Sequence, residues 1–140
     1  MEIGLRSLRW LVERQKADAG HFAPVGSNGF WTRGNGCARF DQQPLEAYAM
    51  IAACVEAYLL TRDFTWQRAA RRCFEWFLGR NDLGQSLYDS STGGCRDALH
   101  ADRVNQNQGA ESTLAFQLAL AEMTRAEAVS IGDAKRLGMT

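Results

Sequence analysis

Apolar residues recur at helical spacing in four segments of the chain, and the intervals between them lack that period. Two of the predicted helices are apolar on one face and charged on the other, which is typical of surface helices. The other two carry small or apolar residues on nearly every face, which predicts burial on all sides. In chain order, the four run roughly from Ile3 to Lys16, from Pro44 until Arg62, from Thr65 to Leu78, and from Gln108 to Met123.

The connections between these helices differ in length. Only a few residues around Asp63 join the second helix to the third, which predicts an antiparallel hairpin. The stretches Asp18 to Gln43 and Arg80 to Asn107 are long and rich in Gly, Asn and Asp. Loops of this length inside a compact domain are usually functional. Since no β-alternation of useful length appears, we expect an all-α fold with two long polar loops.

The chain repeats itself at an offset of about 65 residues. One repeat is a one-sided outer helix, a long loop and an apolar inner helix, an arrangement that favours an α/α toroid fragment built of antiparallel helical hairpins. We expect residues 1–140 to form a single domain that is part of a larger six-hairpin domain. The matched positions are Trp10 and Trp76, Arg14 and Arg80, Gly20 and Gly84, and the helix starts at Gln43 and Gln108.

Charge and composition narrow the class of function. Sixteen basic and sixteen acidic residues give a formal net charge of zero, so no overall field attracts nucleic acid or an anionic membrane. The longest nearly apolar run, Ala47 to Leu60, is interrupted by Glu56 and is shorter than the roughly 20 residues of a membrane span. The first residues show no export signal, so we expect a cytoplasmic protein.

The four cysteines form no metal-binding pattern. No CxxC pair is present, and His21 and His100 are far apart in the sequence, so we expect no metal and no cofactor. Free thiols in a reducing compartment are the simplest interpretation. Cys54 and Cys73 fall within helices as small apolar residues, whereas Cys37 and Cys95 fall in loops where a thiol is accessible.

Both long loops lead into an inner helix, so their polar residues are expected to meet at one rim. Planar amides, carboxylates and aromatic rings suit a neutral sugar, whose hydroxyls both donate and accept while its C–H face stacks on a ring. Asp41 and Glu111 are the candidate catalytic residues. The candidate substrate-binding residues are His21, Trp31, Arg39, Gln42, Gln43, Asp97, His100, Asn105, Asn107 and Gln108.

A structural interpretation of the same residues remains open. Asp41 and Asn107 have side chains suited to capping a helix, and Glu46 and Glu111 are acids in a first turn, where the helix dipole favours them. Gln is not a preferred cap, however, and its repetition at positions 43 and 108 favours a structural or binding role. For glycoside chemistry, Asp41, Asp97, Asp102 and Glu111 are the carboxyl groups available at the rim.

The segments FDQQPLEAYAM and NQNQGAESTLAFQLALAEM, with GHFAPVGSNGFW and SLYDSSTGGCRDALHADRVN, carry a family resemblance. They resemble the C-terminal α/α-toroid region of bacterial glycosyltransferase-type proteins, within the six-hairpin glycosidase-like class. The resemblance extends from about Leu8 to Met123. It implies that nucleotide-sugar transfer belongs to a separate Rossmann-type domain, since this chain has no Gly-rich strand-to-helix turn.

Three functional hypotheses follow. The first is a carbohydrate-recognising toroid portion of a glycosyltransferase-type protein. The second is a glycoside hydrolase or epimerase-like active site at the same rim, and the third is a helical scaffold for a protein partner. The exposed flanks of the inner helices predict self-association or packing against the rest of a larger toroid. The final residues, Arg125 to Thr140, lose clear periodicity, which is consistent with a frayed terminus or an arbitrary stop.

Overall fold

The computed structural model describes residues 1–34 and 36–136. Within them the chain is mostly helical, with four helices packed together and a very small antiparallel hairpin. The hairpin pairs Trp31 with Cys37 and Thr32 with Gly36. The elements are α1 (Glu2–Arg14), β1 (Trp31–Thr32), β2 (Gly36–Cys37), α2 (Pro44–Thr61), α3 (Phe64–Phe77) and α4 (Ala110–Arg136).

The predicted hairpin between the second and third helices is confirmed, because α2 and α3 pack together across a two-residue connection. Pro44 begins α2, where its fixed φ suits a first turn and its missing N–H leaves no donor unsatisfied. Arg62 ends the helix in a left-handed conformation. The next residue, Asp63, caps α3 by accepting a hydrogen bond from the amide of Thr65 at 2.9 Å.

Helix α4 is longer than its sequence pattern predicted. It continues to Arg136, so the interpretation as a frayed terminus is wrong for residues 125–136, and residues 137–140 lie outside the described part. Buried Ala126 extends the packed face, and Arg125 forms an ion pair with Glu56 of α2. Ala, Glu and Arg have high helix propensity, so polar residues in this segment did not end the helix.

The prediction that the inner helices are buried on all sides is wrong, whereas the exposed flanks that were also expected are present. Each inner helix exposes one flank, which includes Leu45, Ala49 and Leu60 on α2 and Leu114 and Leu118 on α4. The core forms on the opposite faces, where buried residues of α2, α3 and α4 meet. By length and composition α2 could also span a membrane, but 44% of that helix is buried within the protein, as in the core helix of a globular protein.

The two inner helices bury equivalent positions at the offset of 65. Ala47, Met50, Ile51 and Cys54 are buried in α2. Their counterparts in α4, namely Ser112, Ala115, Phe116 and Ala119, are buried as well. The repeat seen in the sequence is therefore also a repeat in packing.

The proposed match between Trp10 and Trp76 is wrong. Trp10 is 52% exposed and stacks on Trp31 with 5.0 Å between ring centroids, whereas Trp76 is fully buried. At the offset of 65 the position of Trp76 belongs to Leu11, which packs against the core. The outer helices therefore follow the same offset as the inner ones.

The cysteines are all free, and three of the four are buried. Burial of Cys54 and Cys73 in helices was predicted, but the expected accessibility of Cys95 is wrong, because its side chain is fully buried beneath the second loop. Burial raises the pKa of both Cys54 and Cys95 to about 12. Only Cys37 is exposed.

Candidate functional site

The two long loops are joined by a pair of backbone hydrogen bonds just before α2. Gln42 and Leu99 each donate an amide hydrogen to the carbonyl of the other, both at 2.9 Å. This pair fixes the first loop against the second at the start of an inner helix. The predicted convergence of the loops is thus seen at this point.

A nearly buried carboxylate at the rim belongs to Asp82, whose side chain is 5% exposed. Three side chains of the first loop converge on it. His21 Nε2 lies 2.7 Å from Oδ1, Arg39 donates to Oδ1 at 2.5 Å, and Gln42 donates to Oδ2 at 2.5 Å. Asp82 therefore holds the first loop through charge-assisted hydrogen bonds.

The pKa of Asp82 reflects two opposing effects. Burial, the largest influence, raises it, but the hydrogen bonds from His21, Gln42 and Arg39 together lower it below its ordinary value. The folded protein therefore stabilises the charged carboxylate.

Gln42 links this carboxylate to the helical core. Its Oε1 accepts a hydrogen bond from the indole N–H of Trp76 at 2.8 Å, and its Nε2 also donates to the carbonyl of Arg39 at 3.1 Å. The side chain is fully buried. Gln42 was predicted to bind substrate, yet the described contacts use both amide hydrogens and the carbonyl oxygen for internal bonds.

A histidine–carboxylate pair, His100 and Asp41, lies beside this network and is more exposed to solvent than Asp82. His100 Nδ1 of the second loop is 2.7 Å from Asp41 Oδ1 of the first, and both side chains are partly exposed. Gln43, the residue at the N-cap position of α2, makes no capping bond and instead donates to Ser27 Oγ at 3.3 Å. Asp41 therefore does not cap α2. A carboxylate, an imidazole, an amide and a hydroxyl are grouped along one short stretch of the rim.

Gly26 permits the close approach of backbone that positions Asp41. A Cβ atom at position 26 would overlap the carbonyl group of Phe40. The adjoining amides of Ser27 and Asn28 donate to the carbonyls of Asp41 and Phe40 at 2.9 and 3.1 Å. The conformation of this loop thus depends on the absence of a side chain at residue 26.

Asp97 organises the start of α4. Its Oδ1 accepts the amide hydrogen of Gly109 at 2.8 Å, and its Oδ2 accepts from the side chain of Asn107. Burial raises the pKa of Asp97, but hydrogen bonds from Ser112, Asn107 and Gly109 outweigh that effect and lower it overall. A carboxylate at a helix N-terminus satisfies unpaired amides and suits the helix dipole.

Gln108 belongs to a further cluster in the second loop. It donates to Asp89 Oδ2 at 3.1 Å and accepts from Thr92 Oγ1 at 2.7 Å. Arg96 also donates to Asp89 Oδ2 at 3.1 Å. Hydrogen bonds from Ser91 chiefly lower the pKa of Asp89. Gln43 and Gln108 therefore each contact a hydroxyl residue, and these two residues, Ser27 and Thr92, are also 65 positions apart. Gln108 in addition contacts the carboxylate of Asp89.

The remaining candidate residues lie at other places. Trp31 stacks on Trp10 of α1, with 16° between the ring planes. Asn105 Oδ1 accepts the amide hydrogen of Asn107 at 3.0 Å within the second loop. Glu111 is exposed in the first turn of α4. These positions do not share the direct contact that joins Asp41 to His100.

Sequence reasoning missed Asp82 and the role of Trp76. Asp82 lies in the segment Asn81 to Gly84, which reads as an ordinary turn after α3, and at the offset of 65 its counterpart is Ala17. The repeat therefore gives no sign of it.

Within residues 1–34 and 36–136, no group of three or more His, Cys, Asp or Glu side chains is arranged to hold a metal ion.

Comparison with known proteins leaves the family open. No protein-family model matches the chain, and the search of curated proteins finds no match either.

Proposed function

We propose that this chain is the carbohydrate-recognising portion of an α/α toroid, as in the bacterial glycosyltransferase-type proteins that it resembles. Sugar hydroxyls bind at the rim beside the start of α2, contacting Asp41, Gln43 and His100. The observation that carries the proposal is the 2.7 Å contact between Asp41 and His100, which brings the two loops together with both side chains still partly exposed.

The chemistry of this group fits a neutral polyhydroxylated ligand. Asp41 offers acceptors, and the side-chain amide of Gln43 offers a donor and an acceptor. The Ser27 hydroxyl accepts from Gln43 and donates to the carbonyl of Asp41, both at 3.3 Å, and so positions these groups. Sugar hydroxyls require both kinds of partner, and water leaving the site is replaced by directed hydrogen bonds. The buried Asp82 network behind them supports the proposal, because it holds the first loop in place without occupying the exposed groups.

The repeated burial of α2 and α4 supports the toroid assignment. A toroid of helical hairpins places inner helices side by side, and α2 packs against α4 here. Four free cysteines accord with a reducing compartment, so a cytoplasmic location is part of the proposal. Nucleotide-sugar transfer itself is assigned to a separate domain.

A second candidate function is favoured by the same pair of residues. A carboxylate that orients an imidazole is the arrangement by which proteins prepare a general base. A hydrolytic or epimerase-like reaction at the rim would use His100 and Asp41 for proton transfer. This function predicts that the protein hydrolyses an aryl glycoside with a bell-shaped dependence of rate on pH. Asp41→Asn should abolish that turnover.

Thermal unfolding against a panel of neutral sugars, oligosaccharides and nucleotide sugars tests the proposal. A ligand that binds only the native state, at a hundredfold excess over its Kd, stabilises by about 2.7 kcal/mol and raises the Tm by several degrees. We expect one sugar class to do so, and Gln43→Ala and His100→Ala to remove the shift. The matched control is Gln85→Ala, at an exposed glutamine of the second loop.

Two outcomes would contradict the proposal. A shift that persists in both variants would place the sugar elsewhere on the protein. If no sugar class changes the Tm, carbohydrate recognition fails for this chain, and the scaffold hypothesis takes its place.

A further inference from the structure

Helix α3, the outer helix of the second repeat, packs on the two helices of the first repeat, α1 and α2. Phe64 packs on Tyr58 of α2 with 5.5 Å between ring centroids, and the guanidinium of Arg9 in α1 lies 4.8 Å above the ring of Trp66. Arg9 also approaches the carboxylate of Asp63 at 3.9 Å. The second repeat thus docks its outer helix onto both helices of the first.

The equivalent face of α1 has no such cover among the described residues. At the offset of 65, the buried residues Trp66, Ala69 and Ala70 correspond to Met1, Gly4 and Leu5. Met1 and Gly4 are exposed and Leu5 is only partly buried. A Cβ atom added at Gly4 would meet nothing within 4 Å. Ile3, on the adjoining turn, is 72% exposed.

The surface that would receive such a helix face lies on α3 and α4 and is partly exposed. Phe64 of α3 packs on Tyr58 of α2, and both Val55 and Tyr58 are fully buried. Their counterparts in α4 are Leu120, which is 43% exposed, and Met123, which is partly buried. Together with Phe74 and Leu78 of α3, they form the apolar part of a groove of about 530 Å³ between α3 and α4. The rest of its lining is polar or charged, namely Gln67, Arg68, Arg71, Glu75, Thr124 and Glu127.

We propose that a second copy of this chain docks its α1 into the α3–α4 groove of the first, in a head-to-tail arrangement. The contact continues the interface already present within the chain, in which α3 docks onto α1 and α2. One molecule carries both halves of that contact, the groove at one end and the uncovered α1 face at the other. Small Gly4 permits close approach of the backbones, and Met123 adapts its shape to an apolar partner.

Such a contact differs from a two-fold dimer because the two surfaces that meet are not the same. A heterologous interface leaves one groove and one α1 face free at the ends of every open assembly. It therefore produces open chains of molecules, or rings where the rotation between neighbours closes. The inference rests on the repeat that the toroid proposal also uses, but neither surface includes Asp41, Gln43 or His100, so loss of association and loss of sugar binding are distinguishable outcomes.

Sedimentation velocity of the intact chain over a wide range of concentrations tests the proposal. Leu120→Glu places a charge in the groove, and Ile3→Glu places one on the α1 face. We expect wild-type protein to associate with increasing concentration and each variant alone to remain monomeric. An equimolar mixture of the two variants is expected to form a dimer and nothing larger, because one keeps an intact α1 face and the other an intact groove.

The control is Ala121→Glu, which places on the exposed flank of α4 the residue that α2 carries at the equivalent Glu56. It should associate like wild type, and circular dichroism should show native helix content in all three variants. The proposal is overturned if wild type is monomeric at every concentration or if the mixture forms no dimer. It is also overturned if Ile3→Glu alone still associates, because the groove would then pair with something other than α1.

Discussion

The indole N–H of Trp76 donates to the side-chain carbonyl of Gln42 at 2.8 Å, across the boundary between the two repeats. Trp76 belongs to the outer helix of the second repeat, and Gln42 lies two residues before the inner helix of the first. The same amide carries the contact onward to Asp82 at 2.5 Å. A single side chain therefore couples the helical core to the rim.

Replacement of Gln42 by Leu should destabilise the protein substantially. The change removes the acceptor of the Trp76 indole N–H and the donor to Asp82 Oδ2, and unsatisfied groups of this kind cost about 1–3 kcal/mol each. We expect a loss of about 2–4 kcal/mol in the free energy of unfolding, measured by urea denaturation. Gln43→Leu is the control, since this side chain is only partly buried and makes one 3.3 Å bond. Equal losses in the two variants would show that the buried network contributes little.

The depressed pKa of Asp82 predicts a specific dependence of stability on pH. Because the folded state lowers this pKa below its ordinary value of 3.8, the carboxylate stabilises the fold fully at higher pH. That stabilisation is lost as the pH falls from about 5 through the ordinary value and on through the folded-state pKa. In Asp82→Asn the component is absent at every pH.

Chemical denaturation between pH 7 and pH 3 would measure this difference. The gap in unfolding free energy between wild type and Asp82→Asn should be largest near neutrality, at about 1.5–3 kcal/mol, and should narrow toward acid. Asp102→Asn, at an exposed carboxylate of the second loop, serves as the control and should follow wild type. A gap that stays constant over the whole range would contradict the role assigned to the charged form of Asp82.

Thiol reactivity should separate Cys37 from the other three cysteines. Burial raises the pKa of Cys54 and Cys95 to about 12, and Cys73 is also buried with a raised pKa, so none presents an accessible thiolate to a reagent. Ellman's reagent at mildly alkaline pH should titrate one thiol in the native chain and all four after denaturation. Cys37→Ser should remove the rapid phase altogether. Rapid reaction of a second thiol in the native state would show that the core opens near Cys95 or one of the helical cysteines.

The regular periodicity of the sequence predicted the helices, because each buries a face whose spacing follows directly from helix geometry. The hairpin at Asp63 and the boundaries of α2 could be predicted from the sequence for the same reason, and Pro44 marked the start of α2. The match of Trp10 to Trp76 failed because residue identity was a poorer guide than burial. Leu11 fills the equivalent core position with a different side chain.

The rim was harder to predict than the helices. Its contacts join residues far apart in sequence, such as Asp41 with His100 and Gln42 with Asp82, and no local pattern specifies such pairs. Gln42 and Gln43 are the same type of residue, so residue type alone could not predict that the first is fully buried and the second partly exposed. Asp82 was overlooked because a carboxylate after a helix end usually faces solvent, whereas here three donors enclose it.

The mutual backbone bonds between Gln42 and Leu99 have a consequence for motion at the rim. Because each residue donates to the other, neither loop separates from its neighbour without breaking both bonds at once. The loops are thereby coupled into one cooperative unit, and their amides are expected to exchange hydrogen with solvent together. A ligand that stabilises one loop would therefore also slow amide hydrogen exchange in the other, even where it contacts only the first.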